Sequence, residues 1–278
     1  MSRKLALSLL LLASVACRKT ETVAPQTPVD TAATQSVSTA SPFADLPKGA
    51  PIPGHGVALW LIADDVKPAS GGKFESWSNP QVPIAAAIAE KPELQPAIIA
   101  NAINGHAVVR FDGWQNMMQT NIDIGPGRMP DATIIVVFNS RTDAKALRKL
   151  YGDDNGGFDR AVGLDNRGGD KNYVVFTGKD PAGSFNLKKN ENYITSDQYS
   201  KTDFNGWVNG AATLTNVPAG WTGDALPNMY LGGSGTAYQE PWNGDLAEII
   251  VYARVLTEKE RIQVEDYLAA KYLVVVAR

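Results

Sequence analysis

The sequence has a single cysteine, Cys17, and two histidines among its 278 residues. One cysteine cannot form an internal disulfide, so the fold must be held together by core packing alone. The formal net charge is −3 and no basic run occurs, which argues against nucleic acid as a partner. Beyond the N-terminus, no stretch is long and apolar enough to insert into a bilayer.

The N-terminus has the order of features found in a signal peptide. Two basic residues precede an apolar run at residues 5–13, which is too short to span a bilayer. Residues 14–17, Ser-Val-Ala-Cys, resemble a lipobox, although Ser-x-Ala also suits ordinary cleavage before the cysteine. We predict a signal peptide over residues 1–16, lipidation of Cys17, and a location in the cell envelope or secretion. Arg18, in place of the aspartate of an inner-membrane retention signal, favours the outer membrane of a Gram-negative host.

Residues 17–48 are rich in threonine, alanine, serine, proline and glutamine and contain few large apolar side chains. Such a stretch cannot bury enough surface to offset the entropy lost on ordering, so we predict a disordered tether there. The composition changes just before Val57, and the folded domain is predicted to cover residues 49–278.

From Val57 onward, short apolar runs of strand length alternate with turn residues. The predicted strands are residues 57–62, 107–111, 133–138, 173–177, 193–196, 204–209, 228–231 and 246–252. Asn-Gly and Gly-Gly pairs between them favour tight turns, and this arrangement predicts a sandwich or barrel. Residues 257–260 instead fit a helix capping box, and apolar residues at helical spacing follow, which predicts a C-terminal helix.

Several segments carry a family resemblance. Residues 58–65 read ALWLIADD, residues 104–113 read NGHAVVRFDG, residues 207–210 read WVNG, and residues 242–252 read WNGDLAEIIVY. They resemble bacterial laminin-G-like (LamG), concanavalin A-like domains. The resemblance implies an all-β jelly-roll β-sandwich whose last core strand precedes a short C-terminal helix. Domains of this fold include glycan binders, adhesion modules, spacers and some glycosidases, so function has to be argued from a site.

Glycosidases on this scaffold resemble one another in a Glu-x-Asp-x-x-Glu strand whose carboxylates share one concave face. The nearest segment here contains Asp245 and Glu248, which lie on opposite faces of a regular strand because they are three residues apart. No third carboxylate follows, so Glu248 is predicted to pair with a neighbouring residue at a strand edge. His55 and His106 lack a serine, cysteine or second histidine at a motif spacing. The sequence therefore predicts that the protein is not an enzyme.

Two acidic loops are candidates for calcium. Calcium takes six to eight oxygen ligands, and laminin-G domains often hold one such ion at the rim. Residues 153–157 and 165–170 are rich in aspartate, asparagine and glycine, and the predicted ligands are Asp153, Asp154 and Asp165. The alternative is that these residues form ordinary turns, since the spacing is not that of an EF-hand loop.

Aromatic residues in loops are the candidates for sugar binding, which needs rings that stack on a pyranose beside hydrogen-bonding groups. Trp60, Trp77 and Trp207 lie in strand patterns and are predicted to be in the core. The predicted glycan-binding set comes from loops rich in glycine, asparagine and proline: Trp114, Trp221, Asp224, Tyr238 and Trp242. The alternative for each ring is that it caps one end of the sandwich.

Together these features favour a non-catalytic, surface-tethered module that binds a glycan or glycosylated partner, with calcium as an optional aid. Contact with the membrane would come from the lipid anchor only. A second hypothesis is a structural or adhesive envelope lipoprotein that acts through protein contacts. A third is a carbohydrate-active enzyme with an atypical site, which would need two facing carboxylates roughly 5 to 10 Å apart.

Overall fold

A computed structural model of the protein describes residues 43–68, 70–157, 159–221, 225–235 and 240–278. The predicted signal peptide at residues 1–16, Cys17 and most of the predicted tether lie outside the described residues, as do Asp224 and Tyr238. Ordered contacts begin before residue 49, because Ala44 forms a β-bridge with Val57.

The described residues form sixteen strands, one α-helix and three short 3-10 turns. The strands, numbered along the chain, are β1 (Val57–Ile62), β2 (Ser76–Ser78), β3 (Ala86–Ile88), β4 (Ala97–Ile103), β5 (His106–Asp112), β6 (Met118–Thr120), β7 (Ala132–Ser140), β8 (Arg148–Gly152), β9 (Ala161–Leu164), β10 (Tyr173–Phe176), β11 (Ala182–Phe185), β12 (Asn192–Tyr199), β13 (Asp203–Val208), β14 (Ala211–Pro218), β15 (Tyr230–Leu231) and β16 (Asn243–Tyr252). The helices are α1 (Glu258–Tyr272) and 3-10 turns at Ala63–Asp65, Ser70–Gly72 and Pro92–Leu94.

The strands form two antiparallel sheets of eight strands each. The first sheet has the order β14-β13-β12-β7-β16-β5-β4, and β1 also pairs with the second half of β16. The second sheet has the order β11-β10-β9-β8-β15-β6-β3-β2. Each of the eight predicted strands overlaps an observed one, and the predicted all-β sandwich with a C-terminal helix is confirmed.

The core lies between the two sheets. In β7 the apolar run from Ile134 to Phe138 is fully buried, as expected for a central strand that is covered on both faces. The ring of Phe138 stacks on that of Tyr173 in the second sheet, with 5.5 Å between their centroids. Aromatic contacts of this kind, rather than disulfides, hold the sheets together.

A smaller apolar cluster lies on the other side of the second sheet. Val162 and Leu164 in β9 belong to the main core, whereas Ala161 packs with Val174 and Phe176 in a separate cluster. Because successive side chains of a strand point to opposite faces, this separate cluster marks the outer face of the second sheet.

The C-terminal helix is fixed at its start by the predicted capping box. The Thr257 hydroxyl accepts a hydrogen bond from the Glu260 N–H, and the Glu260 side chain accepts one from the Thr257 N–H. Val264 and Leu268 are buried, so one face of α1 packs on the protein. No helix among the described residues is long and apolar enough to cross a membrane.

Glu248 joins the central strand β16 to this helix. Its carboxylate is completely buried and accepts hydrogen bonds from Trp60 Nε1 at 2.6 Å, Lys271 Nζ at 2.8 Å and the Tyr272 hydroxyl at 2.8 Å. These contacts give Glu248 the structural role that the sequence predicted, but in a central strand rather than at a strand edge. The register of β16 shifts between Leu246 and Glu248, so this segment is not the regular strand that the argument from alternation assumed.

Candidate functional site

A rigid loop after β5 carries an exposed tryptophan. One oxygen of Asp112, Oδ1, accepts hydrogen bonds from the backbone N–H groups of Trp114, Gln115 and Asn116 at 2.8, 3.0 and 3.1 Å. Burial raises the pKa of Asp112, but these three donors outweigh it and hold the pKa below its ordinary value. Trp114 itself is 77% exposed, so the loop presents its ring to solvent.

A groove of about 740 Å³ is lined in part by Trp114, and we call it the Trp114 groove. Polar side chains in its lining include Lys91, Glu93, Gln115 and Arg148. Arg148 Nη1 donates to the carbonyl oxygens of Gly113 at 3.1 Å and Pro241 at 2.7 Å, which fixes the wall of the groove. Arg148 Nε is buried and has no hydrogen-bond partner among the described residues.

A second, wholly polar pocket of about 400 Å³ lies beside the same loop. We call it the Arg141 pocket, and its lining is Asp112, Arg141, Lys189, Asn190 and Asn243. Gly113 lies between it and the Trp114 groove: a Cβ atom on this residue would lie 2.6 Å from Asn243 Cβ and 3.1 Å from Arg148 Nη1. The φ angle of Gly113 is +75°, which favours glycine there.

Of the other predicted sugar-binding rings, Trp242 requires a correction. Its side chain is fully buried, packs edge-on against Phe138 at 5.8 Å, and donates from Nε1 to the Asn139 carbonyl at 3.2 Å. It therefore has no free face for a sugar, because it fills the end of the core. The flanking asparagine and proline suggested a loop, whereas β16 begins at Asn243 directly after it.

Trp221 is partly buried rather than open. Its Nε1 donates to the Ser200 carbonyl at 3.0 Å, and the Arg160 guanidinium lies 5.0 Å from its ring centroid. Neither Trp221 nor Trp242 lines the Trp114 groove. The structure thus brings Trp114 alone, among the described members of the predicted set, to an open groove.

The three predicted calcium ligands do not converge. Asp154 lies 3.0 Å from Lys149 Nζ, and Asp165 forms a 2.6 Å ion pair with Arg167. No group of three or more metal-ligating side chains occurs in the part of the chain that the structure describes. Because cations already neutralise two of the three carboxylates, these residues do not fit a calcium site.

Asp153 is the third predicted ligand, and it is buried in a different environment. Neither of its carboxylate oxygens has a hydrogen-bond partner among the described residues. Burial first, and the nearby carboxylate of Asp159 second, raise the pKa of Asp153 well above its ordinary value, although Arg160 lowers it. Burial disfavours the charged form of this carboxyl group, which also argues against cation binding.

Two carboxylates share a buried ammonium group near the separate apolar cluster. Lys149 Nζ lies 3.0 Å from Asp154, 3.7 Å from Glu240 and 3.0 Å from the ring centroid of Phe176. We call these four residues the Lys149 cluster. Burial lowers the pKa of Lys149, although both carboxylates raise it. The sequence did not reveal this cluster, because its members come from three segments that are distant in the chain.

Glu240 is the second carboxylate of this cluster. Burial raises its pKa, and although Lys149 lowers it, the net change is upward. Its backbone φ is +42°, an uncommon value for a residue with a side chain. Perturbed acids and strained backbones are both enriched at functional sites. An acid with a raised pKa, next to a carboxylate that forms an ion pair, is an arrangement suited to acid–base catalysis.

No family model and no curated protein matches this chain. Two structures of Trypanosoma rangeli sialidase are similar to it, one in complex with 2,3-difluorosialic acid as a covalent intermediate and one with 2,3-difluoro-KDN. Their identities are 14% and 13%, their TM-scores are 0.55 and 0.53, and the matches cover 81% of this chain and 36% of the sialidase. A GH54 α-L-arabinofuranosidase variant has 13% identity and a TM-score of 0.47, and the match covers 65% of this chain and 45% of that one.

This chain spans about a third of the length of the sialidases, and at such identities the likeness shows the β-sandwich fold alone. It nevertheless overturns one prediction. The sequence predicted a non-catalytic binding module and no enzyme, and that prediction is contradicted because the two structures with this fold are of a sialidase. The missing Glu-x-Asp-x-x-Glu strand therefore does not exclude catalysis, since carboxylates can meet from separate segments.

Proposed function

We propose that this chain is a carbohydrate-active enzyme that holds its glycan in the Trp114 groove. The observation that carries this proposal is the exposed Trp114 side chain, which lines the groove on a loop that is hydrogen-bonded to Asp112. A tryptophan is rarely left so exposed, and its flat face can stack on the apolar face of a pyranose. Because Asp112 holds the loop in place, little conformational entropy would be lost when a sugar binds.

Polar groups around the ring supply the second requirement of a sugar site. Gln115 can donate and accept hydrogen bonds with sugar hydroxyls, Glu93 can accept them, and Arg148 has a buried Nε–H without a partner among the described residues. A buried donor of this kind is satisfied when a ligand or an ordered water supplies an acceptor. The volume of the groove, about 740 Å³, suits one or a few sugar rings.

For the chemistry we propose Glu240 as the general acid and Asp154 as its carboxylate partner. Burial raises the pKa of Glu240, which favours a protonated acid that can donate to a glycosidic oxygen, and Asp154 lies 3.0 Å from Lys149 Nζ. Glu240 directly precedes Pro241 in the groove wall, and Lys149 directly follows Arg148. A glycan longer than one ring would extend from the groove across this contact towards the cluster.

The sialidase likeness supports carbohydrate as the substrate class. One of those structures is a sialidase in complex with 2,3-difluorosialic acid as a covalent intermediate. The same class of substrate is proposed here because the groove around Trp114 independently has the ring and the polar groups that a sugar needs.

The test is hydrolysis and retention of a polysaccharide panel by residues 43–278. Trp114→Ala should weaken retention, and Glu240→Gln should lower kcat by about 10² to 10⁴ while leaving retention unchanged. Val275→Ala, at a side chain that is 89% exposed and outside the groove, is the matched control. Release of sugar that is equal in the wild type and Glu240→Gln would refute the assigned acid. Retention that is unaffected by Trp114→Ala would refute the groove.

On the sequence alone we also propose that the chain is a laminin-G-like lipoprotein of the cell envelope, anchored through Cys17 and spaced from the membrane by residues 17–48. Cys17→Ser should move the protein from the membrane fraction to the soluble fraction. Mass spectrometry of the wild-type N-terminus should show a diacylglyceryl group on Cys17. An unmodified N-terminus at this residue would contradict the anchor.

A further inference from the structure

We infer that the glycan is anionic and that its acidic group sits in the Arg141 pocket. This inference rests on the proposed function and specifies its substrate class. Two cations, Arg141 and Lys189, line the pocket, and neither side chain has an ion-pair or hydrogen-bond partner among the described residues. Unpaired cations around one polar cavity are a site for a carboxylate or a sulfate.

The one carboxylate in the lining does not neutralise these cations completely. Oδ1 of Asp112 accepts hydrogen bonds from the backbone N–H groups of residues 114–116. Part of its negative charge is therefore already compensated by these donors. Asn190 and Asn243 supply neutral amide groups that can donate to an anion. The pocket therefore offers two charged donors and two neutral ones.

The walls of the pocket are fixed by backbone contacts. The Arg141 N–H donates to the Asn243 carbonyl at 2.8 Å, and the Asn190 N–H donates to the Ser140 carbonyl at 2.7 Å. Asn190 adopts a left-handed backbone with φ of +63°, which asparagine tolerates better than most residues. An ordered cavity of this kind costs little reorganisation when a ligand enters.

The pocket and the Trp114 groove can hold one ligand together. They lie on either side of Gly113, which has no side chain to separate them. A sugar ring stacked on Trp114 could therefore place a carboxylate or sulfate substituent towards Arg141. The groove adds two more cations, Lys91 and Arg148, against the single carboxylate of Glu93.

The two cavities therefore carry a local excess of positive charge, although the net charge of the whole chain is −3. A concentration of one sign in a cavity raises the local concentration of ligands of the opposite sign. The arrangement thus selects acidic sugars over neutral ones by charge, while Trp114 supplies the contact that any pyranose can make.

The experiment compares polymers that differ only in charge: polygalacturonate with its full methyl ester, and dextran sulfate with dextran. Affinity electrophoresis is run on the wild type, Arg141→Gln and Lys189→Gln. The exposed Lys201, which does not line either cavity, provides the matched control Lys201→Gln. The polygalacturonate pair tests a carboxylate ligand, and the dextran pair tests a sulfate.

We expect one charged polymer to bind at least tenfold more tightly than its neutral counterpart, and more weakly as salt rises. Each pocket variant should lose about tenfold in affinity for the charged polymer, whereas Lys201→Gln should lose little. Equal binding of charged and neutral polymers through Trp114 would overturn this inference and leave the proposed function standing. An equal loss in Lys201→Gln would also overturn it. A failure of every glycan to bind would overturn both.

Discussion

Asp197→Asn should make the protein more stable at alkaline pH. Asp197 in β12 is buried between the sheets, and its Oδ2 accepts a hydrogen bond of 2.8 Å from the Tyr151 hydroxyl in β8. Burial raises its pKa from 3.8 to about 7, because a carboxylate is poorly solvated there. An asparagine has nearly the same shape and can still accept the hydrogen bond, but it cannot ionise.

The sign and size of the effect follow from that pKa. The unfolded chain loses the proton near pH 4 and the folded chain only near pH 7, so the free energy of unfolding falls as pH rises between these values. At about 1.4 kcal/mol for each pH unit, the fall attributable to Asp197 is about 4 kcal/mol. Allowing about 1 kcal/mol for a weaker hydrogen bond, the variant should gain about 3 kcal/mol at pH 8.

The assay is urea unfolding followed by tryptophan fluorescence, at pH 4 and pH 8, for the wild type and the variant. Other buried acids such as Asp153 also depend on pH, so the informative quantity is the difference between the two proteins at each pH. At pH 4 the variant should equal the wild type or be about 1 kcal/mol less stable. The same difference at both pH values would refute the reasoning.

Three further predictions concern the free energy of unfolding, and urea unfolding at pH 7 checks each of them. Glu248→Ala should cost about 3 to 5 kcal/mol, because it leaves buried donors without an acceptor. Trp242→Ala should cost about 3 to 5 kcal/mol, whereas Trp114→Ala should change stability by less than about 0.5 kcal/mol. Thr257→Ala should cost about 1 kcal/mol through the lost helix cap. A Trp242→Ala variant as stable as Trp114→Ala would contradict the burial of Trp242.

The sequence predicted the strands that form the centre of the fold. The apolar runs at residues 57–62, 133–138 and 246–252 correspond to β1, β7 and β16, because strands buried on both faces need continuous apolar sequence. Strands that the sequence did not predict are short or partly exposed. β2 has three residues, and β14 has no fully buried residue, so neither carries a long apolar run.

The candidate site was predicted only in part. Trp114 could be identified because glycine and asparagine surround it in a loop, and the ring is exposed. The same argument failed for Trp242, since its burial depends on Phe138, which the local sequence does not reveal. The Lys149 cluster and the Arg141 pocket each join segments that are distant in the chain, so no motif at a fixed spacing could predict them.

The position of β16 in the first sheet has a consequence for folding during synthesis. This last strand pairs with β7 on one side and with both β5 and β1 on the other, so it separates early and middle parts of the chain. During synthesis the first sheet stays divided until residues 243–252 emerge, and until then β1 and β7 keep unpaired apolar edges. A chain truncated at Pro241 should therefore aggregate, which size-exclusion chromatography would detect. Co-expression with a holdase chaperone should raise the yield of full-length monomer by protecting those edges.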